Sequence, residues 1–146
     1  MMASMIFTQL NHGWNAEPNA PAPQVEMRGN ELHLHFLLNP FAFQTFKEDD
    51  RGIIRFLGTT RYRLGPTNDE GWYRGQCRYS KVAPNWGEFY EIIGEDSLRD
   101  LPTDWRTIAL RPDRGRHFLF YFRDETFECN ADNWQFELRR ANALHK

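Results

Sequence analysis

Over much of the chain apolar and polar positions alternate one for one, the spacing that sends side chains to opposite faces of a β-strand. The longest example runs from Ile54 to Leu64, where Ile54, Phe56, Tyr62 and Leu64 alternate with Arg55, Thr59, Arg61 and Arg63. Turn formers fill the stretch from Gly65 to Gly71, after which Tyr73, Gly75, Cys77 and Tyr79 alternate with Trp72, Arg74, Gln76 and Arg78. This predicts a long central hairpin with Leu64 opposite Tyr73 and each glycine covered by a facing aromatic ring, and a next strand from Trp86 to Ile93. The same register sets Arg63 opposite Arg74. Like charges so placed repel by ~0.2–1 kcal/mol unless a carboxylate or an anion lies between them. Asp69, Glu70, Glu88 and Glu91 are the carboxylates nearest in the sequence, and the favoured reading pairs the arginines with such groups on a solvated face. A register shifted by two residues, with Tyr62 against Tyr73, is open as well.

Two shorter hairpins flank it. In the first, Gly29 and Asn30 supply the positive φ of a tight turn. Met27 then faces Leu32 and Val25 faces Leu34, with Glu26 beside His33 and Gln24 beside His35 on the other face. The second spans His117 to Ala131 and turns at Arg123–Glu125, which sets Phe122 opposite Phe127, Phe120 opposite Cys129 and Phe118 opposite Ala131. On its polar face His117 meets Asp132 and Tyr121 meets Glu128.

Met5–Leu10, Trp105–Leu110 and Trp134–Leu138 predict further strands. Residues 39–50 predict a strand or a helical turn docked by Phe41, Phe43 and Phe46. A capping Asp96 or Ser97 and a terminating Pro102 predict one turn of helix between them. Residues 11–23, interrupted by Pro18, Pro21 and Pro23, predict an irregular arm with Trp14 as its anchor. Eight or nine strands with at most one short helix argue an all-β fold, an antiparallel β-sandwich or open barrel, as a single domain over residues 1–146.

At 146 residues such a domain buries roughly 68–70% of the surface its unfolded chain exposes, and 12 Phe, 5 Trp and 5 Tyr give it an aromatic interior. With 20 acidic against 18 basic residues the net charge is −2, which gives no global attraction to nucleic acid or anionic lipid. The start carries no signal-peptide pattern, and no apolar run approaches the roughly 20 residues of a membrane span, so a cytoplasmic protein is expected. Cys77 and Cys129 fall on predicted core faces and read as buried free thiols.

No nucleophile motif is present, and LGPTNDEG is too acidic to cradle phosphate. His33 and His35, two apart on a strand, project from one face as paired metal ligands do. The favoured reading leaves them on a solvated face beside Glu26 and Gln24, and no metal or other cofactor is assigned. The stronger surface signal is the Arg/Trp-rich face of the central hairpin, with Arg61, Arg63, Trp72, Arg74, Arg78 and Trp86, since these residue types are enriched where partners bind. It predicts an acidic small molecule or an acidic protein surface as partner. Two functions follow. One is a small binding or protein-interaction module using that face. The other is a β-barrel enzyme or small-ligand carrier with a cavity or metal site near the histidine pair. Exposed sheet edges add a homodimer as an expected assembly.

Overall fold

Ten strands form where the alternation falls, in a computed structural model that describes residues 6–66, 87–94, 105–122 and 125–141. They are β1 (Ile6–Gln9), β2 (Gln24–Arg28), β3 (Glu31–Leu37), β4 (Arg51–Leu57), β5 (Arg61–Pro66), β6 (Phe89–Ile93), β7 (Arg106–Thr107), β8 (Arg116–Tyr121), β9 (Glu125–Ala131) and β10 (Asn133–Arg139). Six of them make one antiparallel sheet in the order β1-β6-β8-β9-β5-β7, and four make a second in the order β10-β4-β3-β2. Neither sheet closes on itself, so the architecture is a sandwich and not a barrel. Among the described residues there is no helix, and hence none long and apolar enough to cross a membrane. The predicted helical turn falls in 95–104, outside the described residues.

The run from Ile54 to Leu64 is not one strand. Gly58 turns with a φ of 64°, and β4 and β5 leave the turn into opposite sheets. The two-residue parity survives the break: Ile54 and Phe56 enter the core from one side, Tyr62 and Leu64 from the other. The proposed pairing of this run with 73–79 lies outside the described residues. A second crossing, from β9 to β10 at Asp132, sits directly against the first. The Asp132 amide donates to the Leu57 carbonyl at 2.8 Å and the Thr60 amide to the Asn130 carbonyl at 2.9 Å. A side chain at Gly58 would push the Asp132 carboxylate aside, and it is the positive φ of the corner that favours glycine.

The hairpin of β2 and β3 has the predicted register, Met27 on Leu32, Val25 on Leu34, Glu26 on His33 and Gln24 on His35. That of β8 and β9 is shifted by two residues from the prediction: Phe118 faces Cys129, Phe120 faces Phe127 and His117 faces Asn130. The hairpin closes one residue earlier than expected, where the Phe122 amide donates to the Glu125 carbonyl. Residues 39–50 form turns, with neither strand nor helix; Phe46 reaches the core while Phe41 is 73% exposed. Of Trp105–Leu110 only two residues pair as a strand, because the Ile108 and Ala109 amides both turn to the Thr60 carbonyl.

Between the sheets lies an aromatic layer of Phe36, Phe56, Phe89, Phe118, Phe120 and Phe127, all fully buried. Trp14 closes it, as predicted for the anchor of the arm. Its indole stacks on Phe136 with centroids 4.1 Å apart and planes at 9°, and it also meets Phe36, Phe89 and Phe120. The arm is held by an Ala16–Leu38 bridge and by Asn11, which donates to the Trp14 carbonyl and accepts from the Phe89 amide. Cys129 is a buried free thiol, and burial pushes its pKa well above the ordinary value. Cys77 lies outside the described residues.

Trp14→Ala is expected to cost about 3–5 kcal/mol, the range for losing a large core aromatic. Leu110→Ala, at a site 93% exposed, should stay within about 0.5 kcal/mol of the parent. Urea denaturation of the two variants side by side measures both.

Candidate functional site

The outer face of the four-stranded sheet carries the histidine pair. Registers across β2, β3, β4 and β10 lay its side chains in rows, with Glu26, His33, Arg55 and Gln135 in one and Gln24, His35, Ile53 and Glu137 in the next. Odd-numbered residues of β3 and β4 must face outward here, because the even ones fill the core. This face is not simply solvated. The His33 and His35 side chains are only 14% and 17% exposed, at the floor of an open basin of about 390 Å³ walled by Glu26, Arg28, Glu31, Arg55 and Arg139.

The donor atoms converge. Glu26 Oε1 lies 3.6 Å from His35 Nε2 and 4.0 Å from His33 Nδ1, and one ligand atom from each of the three residues lies within 4.8 Å of the others. Donors on a tetrahedral zinc ion, with bonds of 2.0–2.1 Å, stand about 3.3 Å apart. Small side-chain rotations close the difference. His33 Nε2 meets Glu31 Oε1 at 3.1 Å, and a proton on that nitrogen leaves Nδ1 as a lone pair facing Glu26. Glu31 is fixed in turn by Arg55, whose Nε and Nη2 donate to it at 3.1 and 2.9 Å. A ligand imidazole whose second nitrogen is oriented by a carboxylate is the usual outer arrangement of a metal site.

The protonation states fit. A hydrogen bond from Arg28 holds the Glu26 carboxyl below its ordinary pKa, and bonds from His33 and then Arg55 do the same for Glu31. Burial lowers the pKa of His35, and Glu26 only partly offsets it. The neutral imidazole that can ligate is therefore the favoured form at neutral pH.

Of the predicted Arg/Trp face, Arg61 and Arg63 lie among the described residues, and both are buried where a solvated face was expected. Arg61 and Arg63 emerge from β5 on the outer face of the six-stranded sheet, yet they are only 7% and 6% exposed. Arg63 donates to Glu128 Oε1 from Nε at 3.1 Å and pairs through Nη2 at 3.0 Å, while Glu128 Oε2 lies 2.7 Å from His117 Nε2. Arg61 Nε donates to Asn130 Oδ1 at 2.7 Å. The Trp105 ring covers both guanidinium groups, 3.9 and 4.1 Å from its centroid. Trp72, Arg74, Arg78 and Trp86 lie outside the described residues, as do Asp69 and Glu70. Of the other two carboxylates considered for the arginines, Glu88 accepts from Gln9, Asn11 and Asn15, and Glu91 takes both ends of Arg116.

Glu128, His117 and Trp105 were not singled out by the sequence. The two-residue error in the β8–β9 register hid Glu128 and His117, because it paired His117 with Asp132 and set Glu128 beside Tyr121. Glu31 and Arg55 carried no signal beyond being polar residues on a strand. Set against known protein families, curated proteins and solved structures, the chain matches none of them.

Glu128→Ala would leave Arg63 and His117 facing each other in a buried layer without the carboxylate between them. A loss of about 3–5 kcal/mol is expected in chemical denaturation, with Glu128→Gln recovering part of it by keeping the hydrogen-bonding shape.

Proposed function

We propose that the protein is a small cytoplasmic binding module whose ligand is a divalent transition metal, held by Glu26, His33 and His35. The observation that carries this reading is the convergence of one carboxylate oxygen and two imidazole nitrogens in a basin on an outer sheet face. A solvated row of side chains has no need to bury two histidines there. Two nitrogens and one oxygen suit zinc among the common ions, and three protein ligands leave a coordination position open. The buried free Cys129 suits the reducing cytoplasm. The alternative partner, an acidic molecule gripped by Arg61 and Arg63, is less favoured, because both guanidinium groups are already buried against Glu128, Asn130 and Trp105.

Calorimetric titration with Zn²⁺ is expected to give one ion per chain. His35→Ala should abolish that binding with little change in unfolding midpoint, since the residue faces away from the core, and Glu26→Gln should weaken it by about tenfold or more. No zinc heat above a dialysed blank would remove the reading.

The pH dependence has a defined sign. Protons compete with metal for His35 only below its own pKa, which lies under the ordinary value of about 6.5. Zinc affinity should therefore be insensitive to this residue above about pH 6.5 and fall as the pH drops through the lowered value. Titrations at a series of pH values in a non-chelating buffer measure it.

A further inference from the structure

One row beyond His35, the outer face carries two arginines side by side. Arg51 of β4 and Arg139 of β10 are direct cross-strand partners, and both are odd-numbered positions of strands whose inward residues fill the core. Neither side chain forms an ion pair or hydrogen bond with any described residue. This differs from the other arginines of the same face, since Arg28 pairs with Glu26 and Arg55 with Glu31 and Glu137. Like charges opposite each other weaken an antiparallel pair, and nothing in the packing of an outer face requires them.

Arg139 also belongs to the histidine basin. It lines the same open volume as Glu26 and His35, and it lies close enough to His35 to disfavour its protonation. Ile53, which stands between His35 and Glu137 in the neighbouring row, lines the same volume. The basin thus offers three converging ligand atoms and, at one end, the Arg139 guanidinium; Arg51 adjoins it across the strand pair, and neither arginine has a partner among the described residues.

We infer that the metal held by Glu26, His33 and His35 is one half of an anion site, in which Arg51 and Arg139 bind a phosphoryl group whose oxygen occupies the open coordination position. This rests on the metal reading above. A dication bound by one carboxylate keeps a net positive charge, and two arginines add two more. A phosphate dianion offsets that charge better than a carboxylate does, and its tetrahedral oxygens can meet a metal on one side and guanidinium forks on the other.

The test uses the chain loaded with one equivalent of Zn²⁺, with inorganic phosphate as the probe. Calorimetry should show phosphate binding to the loaded protein and none to the metal-free protein. Arg51→Gln and Arg139→Gln should hold zinc as tightly as the parent but bind phosphate about tenfold more weakly, the loss expected of one charge-assisted contact. Because each change also relieves a like-charge contact, neither should lower the melting midpoint of the ligand-free protein. With Co²⁺ in place of zinc, phosphate should shift the visible absorption band, which a change confined to the arginines would not do.

Equal phosphate affinity in the parent and the Arg51→Gln/Arg139→Gln double variant would overturn the inference, as would a cobalt spectrum that phosphate leaves unmoved. Zinc uptake with either of those results removes the anion site and keeps the metal site. Failure of zinc uptake removes both.

Discussion

The corner where Gly58, Thr59 and Thr60 meet Asp132 decides on which sheet each polar residue of the Ile54–Leu64 run is displayed. Here the chain passes from the four-stranded sheet to the other and, later, passes back. Both crossings are tied to each other through backbone bonds between Asp132 and Leu57 and between Thr60 and Asn130. A strand that changes sheets while keeping its two-residue parity continues to feed the same core from the opposite side. Its polar residues are thereby sent to the outer faces of two different sheets. Arg55, before the corner, supports the histidine basin; Arg61 and Arg63, after it, sit in the layer under Trp105. Three arginines of one alternating run have in this way acquired two unrelated surroundings.

Those surroundings differ in how charge is handled. In the layer under Trp105 the charged groups are withdrawn from water, and a single carboxylate, Glu128, meets both Arg63 and His117. Such a network gains little net stability over a well-packed apolar equivalent but is costly to break. It fixes one arrangement of β5, β8 and β9. On the histidine face the pairs stand in contact with solvent, where screening leaves them little energetic weight. Their value there is directional: Arg55 aims Glu31, and Glu31 aims His33. An arrangement that stores little energy and much geometry is what a binding site requires.

Alternation made the sandwich legible because it depends on burial, which is the same whichever sheet a strand joins. The Gly29–Asn30 hairpin was readable to the residue, since a two-residue turn with positive φ admits a single register. The β8–β9 hairpin was not, because Arg123, Asp124 and Glu125 all suit a turn and parity is unchanged by a shift of two. That shift was enough to conceal the Arg63–Glu128–His117 group. The break at Gly58 was equally hidden: glycine and two threonines preserve the alternation of a strand while permitting a corner, and only the competition of β3 and β10 for the edges of β4 separates the two outcomes. His33 and His35 were visible as a pair. Their third donor, Glu26, was placed beside them by the same hairpin, but the basin around both rings is completed by residues of other strands, Arg55 and Arg139.

Trp14 stacked on Phe136 joins the arm near the start of the described chain to its final strand, and β4 is flanked on one side by β10. The interior therefore cannot be completed by any early portion of the polypeptide. A chain emerging in order from a ribosome would expose Phe36, Phe56 and the β2–β3 hairpin without their cover until β10 had been made. Closure over such separations places folding in the slow regime of β-rich domains, about milliseconds to seconds, and it leaves unpaired strand edges in the meantime. How long those edges stay uncovered during synthesis is thus set by where in the sequence Trp134 and Phe136, the last aromatic residues packed against the core, happen to lie.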